Sequence, residues 1–448
     1  MAKNSLGSFL FFMEQPLNIK RILFIVLLLC EMSFLIGAYW PGAMSIDSIS
    51  QYEQAVTHTY EDWHPPIMAW VWSCFILMYK GPIPMLLFHT FMLFGATTLL
   101  CLICIKKSRI SWIWLILPLL PFIAGLSGVL WKDVGMAYAF LFAFALFHLG
   151  IHTQRQSHYR YLLFFLALCF FLYAFWVRDN AIMASAPIVY YLVTIGYPNW
   201  KKIYVFGVSC IILICLFCMG KGINKYILDA KPEYTTMHMK IDEIAATSRI
   251  VGKNLFFKES IVHEFSVEDL PTVHLDKGWK FYAIVQLTDD VLKENWYSVI
   301  KNEPWAYLQA KLRLFNNFSR FPIKTPRCVS YFMIHQNNYG LTFEKGRASD
   351  ILYSYVNITK NMLPILFLPI FWIPLAGMLF LYVLKRNDLV SVEVKMLLSS
   401  AGCYYLGYFI VTPTPDYRFI YWTVLAITVA TFLLLCDRYS YTSSGISR

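Results

Sequence analysis

The chain has 448 residues, of which 58 % are hydrophobic, 18 % aromatic and only 15 % charged. That charged share lies far below the roughly 25 % of a soluble domain, so most of the surface must be solvated by lipid. The formal net charge of +11 does not indicate nucleic-acid binding, because the basic residues stand in short clusters between apolar runs, where they act as topology signals.

Apolar runs long enough to cross about 30 Å of hydrocarbon occur at residues 21–40, 84–105, 110–130, 134–152, 161–177, 181–198, 203–220, 361–384, 393–411 and 419–436. They predict an all-α polytopic membrane protein with about ten spans. The first run has no small-residue cleavage site before Pro41 and exceeds the length of a signal-peptide core, so a retained helix is expected. Pro65–Tyr79 opens with two prolines and is shorter than the roughly 20 residues a span needs, so a juxtamembrane helix within the first outer loop is expected. With that helix not crossing, Lys20/Arg21, Lys106/Lys107/Arg109, Arg155/Arg160, Lys201/Lys202, Lys385/Arg386 and Arg438/Arg448 fall on one face. The positive-inside rule makes that face cytoplasmic, and both termini with it. The expected organisation is an N-terminal transmembrane module over 1–220 containing the outer loop 41–83, a mainly helical outer domain over 221–360, and C-terminal transmembrane helices over 361–448. Within the outer domain, Val291–Asn302 and Pro304–Phe318 read as helices.

Ten of the 11 cysteines lie in apolar runs and only Cys328 in the polar segment, so that segment cannot close a disulfide within itself. Cys101 with Cys104 and Cys215 with Cys218 have zinc-like spacing but no facing His or Cys cluster, and are expected to pack rather than to bind metal. No Gly-rich phosphate loop, His-Glu-x-x-His or Gly-x-Ser-x-Gly is present, which argues against a nucleotide-driven mechanism.

The unusual residues fall on the face opposite the basic clusters. The first outer loop carries Asp47, Glu53, Glu61 and Asp62 with no Lys or Arg between Trp40 and Lys80. Such a loop can be a solvated acidic face. Asp47 follows the first span by only a few residues, however, where a partly desolvated carboxylate can act as general base on a hydroxyl. Two tight turns carry Lys132-Asp133 and Arg178-Asp179, and Arg418 follows Asp416 at the start of the last span. A cation beside an acid at a helix end can be a self-neutralising pair. Basic residues on this face nevertheless run against the positive-inside rule, and Lys132, Arg178 and Arg418 together could clamp a phosphate at the membrane surface. His64, before Pro65-Pro66, reads equally as a donor-binding group and as a cap of the short helix.

Taken in order, Asp47, then Asp62-Trp63-His64-Pro65-Pro66-Ile67, Trp131-Lys132-Asp133, Arg178-Asp179-Asn180-Ala181, the Trp296–Leu312 segment and Pro415-Asp416-Tyr417-Arg418-Phe419 resemble the GT-C superfamily of membrane glycosyltransferases. The likeness is to its bacterial O-antigen-modifying glucosyltransferase type. The resemblance implies a GT-C-like helical bundle in the bacterial inner membrane with a periplasmic active site. It also implies inverting transfer of a hexose, glucose by this likeness, from a polyprenyl-phosphate donor to a hydroxyl of a lipopolysaccharide O-antigen or other envelope glycan. Asp47 would be the general base, with Glu61 and Asp62 orienting the acceptor or replacing Asp47 as base. Lys132, Arg178, Arg418 and His64 would hold the donor phosphate, and Asp133, Asp179 and Asp416 would orient the acceptor. Asp47 is followed by Ser48 rather than by the family's frequent second acid, so no metal or other cofactor is expected. A donor synthase and a flippase would be partners. An O-antigen polymerase or ligase and a membrane transporter are the competing readings.

Overall fold

The computed structural model describes residues 19–105, 108–153, 158–233, 237–257, 266–271 and 289–440. The cluster residues Lys106, Lys107, Arg155 and Arg448 lie outside these, as do the side chains of Lys20 and Arg21. Among the described residues the chain is helical, and its only β pairings are isolated bridges.

The helices are α1 (Ile19–Tyr39), α2 (Ile46–Thr57), α3 (Ile67–Ile76), α4 (Ile83–Cys104), α5 (Lys132–His152), α6 (His158–Val177), α7 (Ala181–Gly196) and α8 (Lys202–Gly222). They are followed by α9 (Met237–Val251), α10 (Asp289–Asn302), α11 (Pro304–Phe318), α12 (Arg347–Met362), α13 (Pro369–Val383), α14 (Leu389–Gly407) and α15 (Tyr421–Arg438). Six segments are long and apolar enough to cross a membrane: Ile22–Tyr39, Ile83–Cys104, Lys132–His152, His158–Val177, Lys202–Ile227 and Tyr417–Arg438. The chain therefore has the architecture of a multi-pass helical membrane protein.

The count of ten spans expected from run length is not reached by helix length. The run 110–130 is no single helix: Ser111–Leu119 is a 3₁₀ turn containing Pro118, and Pro121 opens a four-residue helix to Ala124. Proline lacks an N–H and crowds the preceding turn, so an apolar run carrying two of them breaks. The helices α7 and α13 are apolar but have 16 and 15 residues. The helix α3, with ten residues, rises about 15 Å, half of the hydrocarbon thickness, as expected of a helix that does not cross.

Burial sorts the bundle. In the α5 and Tyr417–Arg438 segments 89 % of the residues are buried, against 22 % in α1 and in Lys202–Ile227. The first two form the centre, with α4, α6 and α14 packed on them, and the last two present apolar faces outward. A separate small core of Ile241, Ile244, Ala245, Phe256, Leu270, Leu292 and Val299 holds α9 to α10. By contrast Val329, Leu352 and Val356 belong to the core of the bundle, where α12 lies along α1.

One close approach fixes the entry to α5. Tyr39 reaches over the 124–128 turn and donates its hydroxyl to the carbonyls of Ala124 and Gly125, at 2.9 and 2.5 Å. A Cβ on Gly128 would lie 2.2 Å from the Tyr39 Cβ and Cγ. Gly128→Ala is therefore expected to destabilise the protein by about 1–3 kcal/mol, the usual cost of overpacking. The check is thermal unfolding in detergent.

Candidate functional site

The site is assembled by short pairings at one end of the bundle. Between α1 and α2, Ala43 N donates to Gly128 O (3.1 Å) and Leu130 N to Ala43 O (2.9 Å). On the other side Met44 N donates to Met333 O (2.9 Å) and His335 N to Met44 O (2.8 Å). This two-sided anchoring starts α2 directly beside the entry to α5. Ser48 Oγ then donates to Leu130 O (2.8 Å), and Trp131 Nε1 donates to Ser45 Oγ (2.7 Å). Asp47 lies in the first turn of α2, where the helix dipole favours an anion.

Arg418 enters from the 3₁₀ turn Tyr417–Ile420 that leads into α15. Its Nη1 donates to Asp47 Oδ2 at 2.7 Å. Its guanidinium is held between two aromatic rings, 4.8 Å from the centroid of Trp131 and 4.8 Å from that of Phe419. Stacking of this kind holds the guanidinium plane and excludes water from its faces.

His64 links Asp47 to α5. Its Nε2 is 3.7 Å from Asp47 Oδ1, and its Nδ1 is hydrogen-bonded to Lys132 Nζ. Burial first, and then the neighbouring Lys132 charge, pushes the imidazole down to about 4. It is therefore neutral at pH 7, and the contact with Asp47 is a long polar approach rather than an ion pair. With Lys132 charged, its ammonium can only donate, so Nδ1 then accepts and the ring proton sits on Nε2, facing Asp47. For Asp47 itself, burial alone would raise the carboxyl, but the His64 contact and the Arg418 guanidinium outweigh it and hold the group well below the usual carboxylate range. With His64 neutral, Arg418 is the larger influence.

The tautomer is testable. Histidine-labelled protein is expected to show His64 as the Nε2–H neutral form at pH 6, with charging only near pH 4, by carbon and nitrogen NMR. A depressed histidine contributes stability that is complete above its unfolded value of about 6.5 and is lost as pH falls toward its folded value. Wild type should accordingly lose more stability than His64→Gln between pH 6.5 and 4.

Arg178, just after α6, forms an ion pair with Asp133, whose side chain is 2 % exposed, in the first turn of α5. Its Nε donates to Asn180 Oδ1 (2.9 Å), and its guanidinium lies 5.3 Å from the Phe419 ring. The Phe419 ring thus contacts both guanidiniums, while Lys132 is within electrostatic reach of Arg178, Arg418 and Asp47. Asp47, His64, Lys132, Asp133, Arg178 and Arg418 are therefore brought together.

The other sequence candidates take partners of their own, although Asp179 is also within electrostatic reach of Lys132. Asp62 Oδ1 accepts from Glu233 N (2.5 Å), and the Tyr60–Asp62 backbone pairs with Lys231, so this acid ties the first loop to the chain beyond α8. Glu61 N donates to Gln54 Oε1 (3.2 Å). Asp179 pairs with Lys221 (2.9 Å), and Asp416 accepts from Thr414 Oγ1 (3.0 Å) with Arg327 Nε 3.6 Å away. Burial and the nearby Asp416 push the Cys328 thiol up to about 11, so it is no thiolate nucleophile at neutral pH.

Several members went unassigned by sequence reasoning. Trp131 and Phe419 flank the cations, and their adjacency to Lys132 and Arg418 in the sequence was the available signal. For two buried ionic clusters the pairing left no signal, although Trp296, Tyr307 and Lys311 of the first lie in the Trp296–Leu312 segment. Glu243 accepts from Lys311 Nζ (2.6 Å), Tyr307 OH (2.6 Å) and Trp296 Nε1 (2.7 Å). Deep in the bundle, Glu393 Oε1 meets His148 Nδ1 (2.7 Å) and accepts from Tyr191 OH (3.1 Å). Beside Tyr191 an apolar cavity of about 380 Å³ is lined by Phe144, Phe147, Phe164, Leu168 and Leu192. No group of three or more His, Cys, Asp or Glu suited to a metal ion occurs among the described residues.

What the arrangement can do chemically is bring two carboxylates, Asp47 and the Arg178-paired Asp133, and three basic side chains to one small volume, with aromatic walls. No protein-family model, curated protein or solved structure matches this chain.

Proposed function

We propose that the protein is an inverting GT-C-type glycosyltransferase that moves a hexose from a polyprenyl-phosphate donor to a hydroxyl of an envelope glycan, an O-antigen by the resemblance above. The observation that carries this reading is the meeting of Asp47 with Arg418, beside Lys132 and Arg178, from four separate helix ends. Glycosyl transfer from a lipid phosphate needs a base for the acceptor hydroxyl and positive charge for a departing phosphate. Asp47 takes the acceptor proton. The acceptor oxygen bonds to the anomeric carbon from the face opposite the phosphate, and the carbon–oxygen bond to the phosphate breaks with its electron pair on the phosphate oxygen. Arg418, Lys132 and Arg178 balance that charge.

In this reading the protein spans the bacterial inner membrane ten times, with the broken 110–130 run, α7, α13 and α14 crossing alongside the six long segments. Both termini are cytoplasmic, and the site end is periplasmic, where α9–α11 shape the acceptor side. A synthase and a flippase supply the donor, and no metal takes part. The test is glycan analysis of cells with and without the chain. Gain of one hexose per acceptor unit is expected; an unaltered envelope glycan counts against the reading.

A transport reading has one observation in its favour, the Glu393–His148–Tyr191 cluster, since ionisable groups inside membrane helices mark ion and proton pathways. The readings part at Glu393→Gln. Sugar transfer should survive in protein that reaches the membrane, whereas proton-coupled transport would be lost.

A further inference from the structure

The geometry points to Arg418 as a latch: at rest it pairs with Asp47, and a lipid-linked phosphate draws it away, so that the base becomes competent only once the donor is bound. This inference rests on the glycosyltransferase reading and adds an order of binding to it.

Arg418 stands where both of its partners can reach it. Only Nη1 is committed to Asp47, while Nε is buried without a hydrogen-bond partner among the described residues. A guanidinium has five N–H donors in a planar fork, and one directed to a carboxylate leaves most of the fork for a phosphate. Phosphate takes such a fork bidentately. Arg418 Cζ lies 4.8 Å from the centroids of both Trp131 and Phe419, so the guanidinium can turn from one anion to the other while staying against aromatic walls. The balance of charge favours the newcomer. Lys132 and Arg178 stand close to Arg418, so a phosphate between them meets Lys132 and Arg418 together and the N–H groups that Arg178 does not spend on Asp133.

The groups facing Asp47 are Arg418, His64, Lys132 and Tyr331. Once Arg418 turns to phosphate, Asp47 keeps the approach of His64 Nε2, 3.7 Å away, which does not neutralise it and can close to a hydrogen bond. Burial then works to raise its basicity. His64 is thus a positioning residue, and Asp47 becomes a better base in the donor complex than in the free protein. The proton it takes from the acceptor hydroxyl passes to solvent after the polyprenyl phosphate leaves. The coupling is reciprocal: if phosphate weakens the Asp47–Arg418 pair, the Asp47 carboxylate weakens phosphate binding by the same factor.

That reciprocity supplies the test. Full-length protein in nanodiscs is titrated with farnesyl monophosphate as a short-chain probe, with inorganic phosphate as control, and the same preparation is assayed for hexose transfer from a polyprenyl-phosphate donor. Asp47→Asn is expected to bind farnesyl phosphate about tenfold more tightly than wild type, the scale of a partly exposed charged hydrogen bond. Asp47→Ser, which removes the carboxylate with a different side chain, should bind more tightly too, and Arg418→Gln should lose the gain. If wild type transfers hexose while both Asp47 variants bind no more tightly than it does, the latch is overturned and the glycosyltransferase reading stands. If wild type neither binds the probe nor transfers hexose, both fall. Inorganic phosphate bound as tightly as farnesyl phosphate would overturn the lipid-linked assignment.

Discussion

Asp47→Asn is expected to slow hexose transfer by about 10³-fold, within the 10²–10⁴ range that a positioned general base contributes. The amide keeps the shape of the carboxylate and its oxygen still accepts from Arg418, so the variant should fold and reach the membrane. What it loses is the capacity to take the acceptor proton. The loss should therefore fall on kcat, with donor binding retained or improved. Asp62→Asn should behave differently, because Asp62 is committed to Glu233 N across the loop pairing and contributes to stability rather than to proton transfer. In the free protein Asp47 is ionised and His64 neutral between pH 7 and 5, so activity should vary over that range in the same way in wild type and His64→Gln. The stability from the Asp47–Arg418 pair is complete above the unfolded carboxylate value of about 4 and is lost as pH falls below it. Steady-state kinetics on purified variants of matched abundance check these outcomes.

Lys311→Met should be among the most destabilising single changes in the chain, by about 3–5 kcal/mol, the cost of leaving a buried charge without its partner. Lys311 and Glu243 have side chains only 7 % and 1 % exposed, and Lys311 also donates to Ile410 O beyond α14 (2.7 Å). The pair thus fastens α9 and α11 to the bundle. Tyr307 gives no relief, since burial and then the Glu243 charge hold its phenol well above the ordinary tyrosine value and it remains a donor. The double variant Glu243→Gln/Lys311→Met removes both charges and should lose markedly less than the single one. Apparent Tm in detergent for the two single variants and the double variant measures the difference. Equal losses in Lys311→Met and the double variant would mean that the packing of α11, and not the ion pair, holds this face.

Much of this arrangement was legible in the residues themselves. Helices appear at 289–302 and 304–318 where periodic stretches predicted them, and the ten-residue α3 follows its two prolines. The cations Lys132, Arg178 and Arg418 drew notice because each breaks the charge asymmetry of the loops, and they do meet. The pairing was not legible. Adjacent acid and base suggested self-neutralising turns at Lys132-Asp133 and Arg178-Asp179, yet Arg178 reaches across to Asp133, Lys132 to His64, and Asp179 to Lys221. Adjacent residues at a helix start point in different directions, and a sequence does not state which helices are neighbours. The same reason hid Glu393 and His148, 245 positions apart, and Glu243 and Lys311. The break at 110–130 could have been anticipated, since Pro118 and Pro121 stand within three residues of each other and run length alone counts them as ordinary apolar positions.

The most direct measurement of the central claim supplies the purified protein in nanodiscs with a polyprenyl-phosphate hexose labelled in the sugar, together with an O-antigen acceptor, and reads both products. Transfer of one hexose with inverted anomeric configuration and release of one polyprenyl phosphate per sugar moved, both lost in Asp47→Asn, is the predicted result. Turnover of a lipid-linked oligosaccharide with no use of the single-sugar donor would contradict the account and point to a polymerase or ligase.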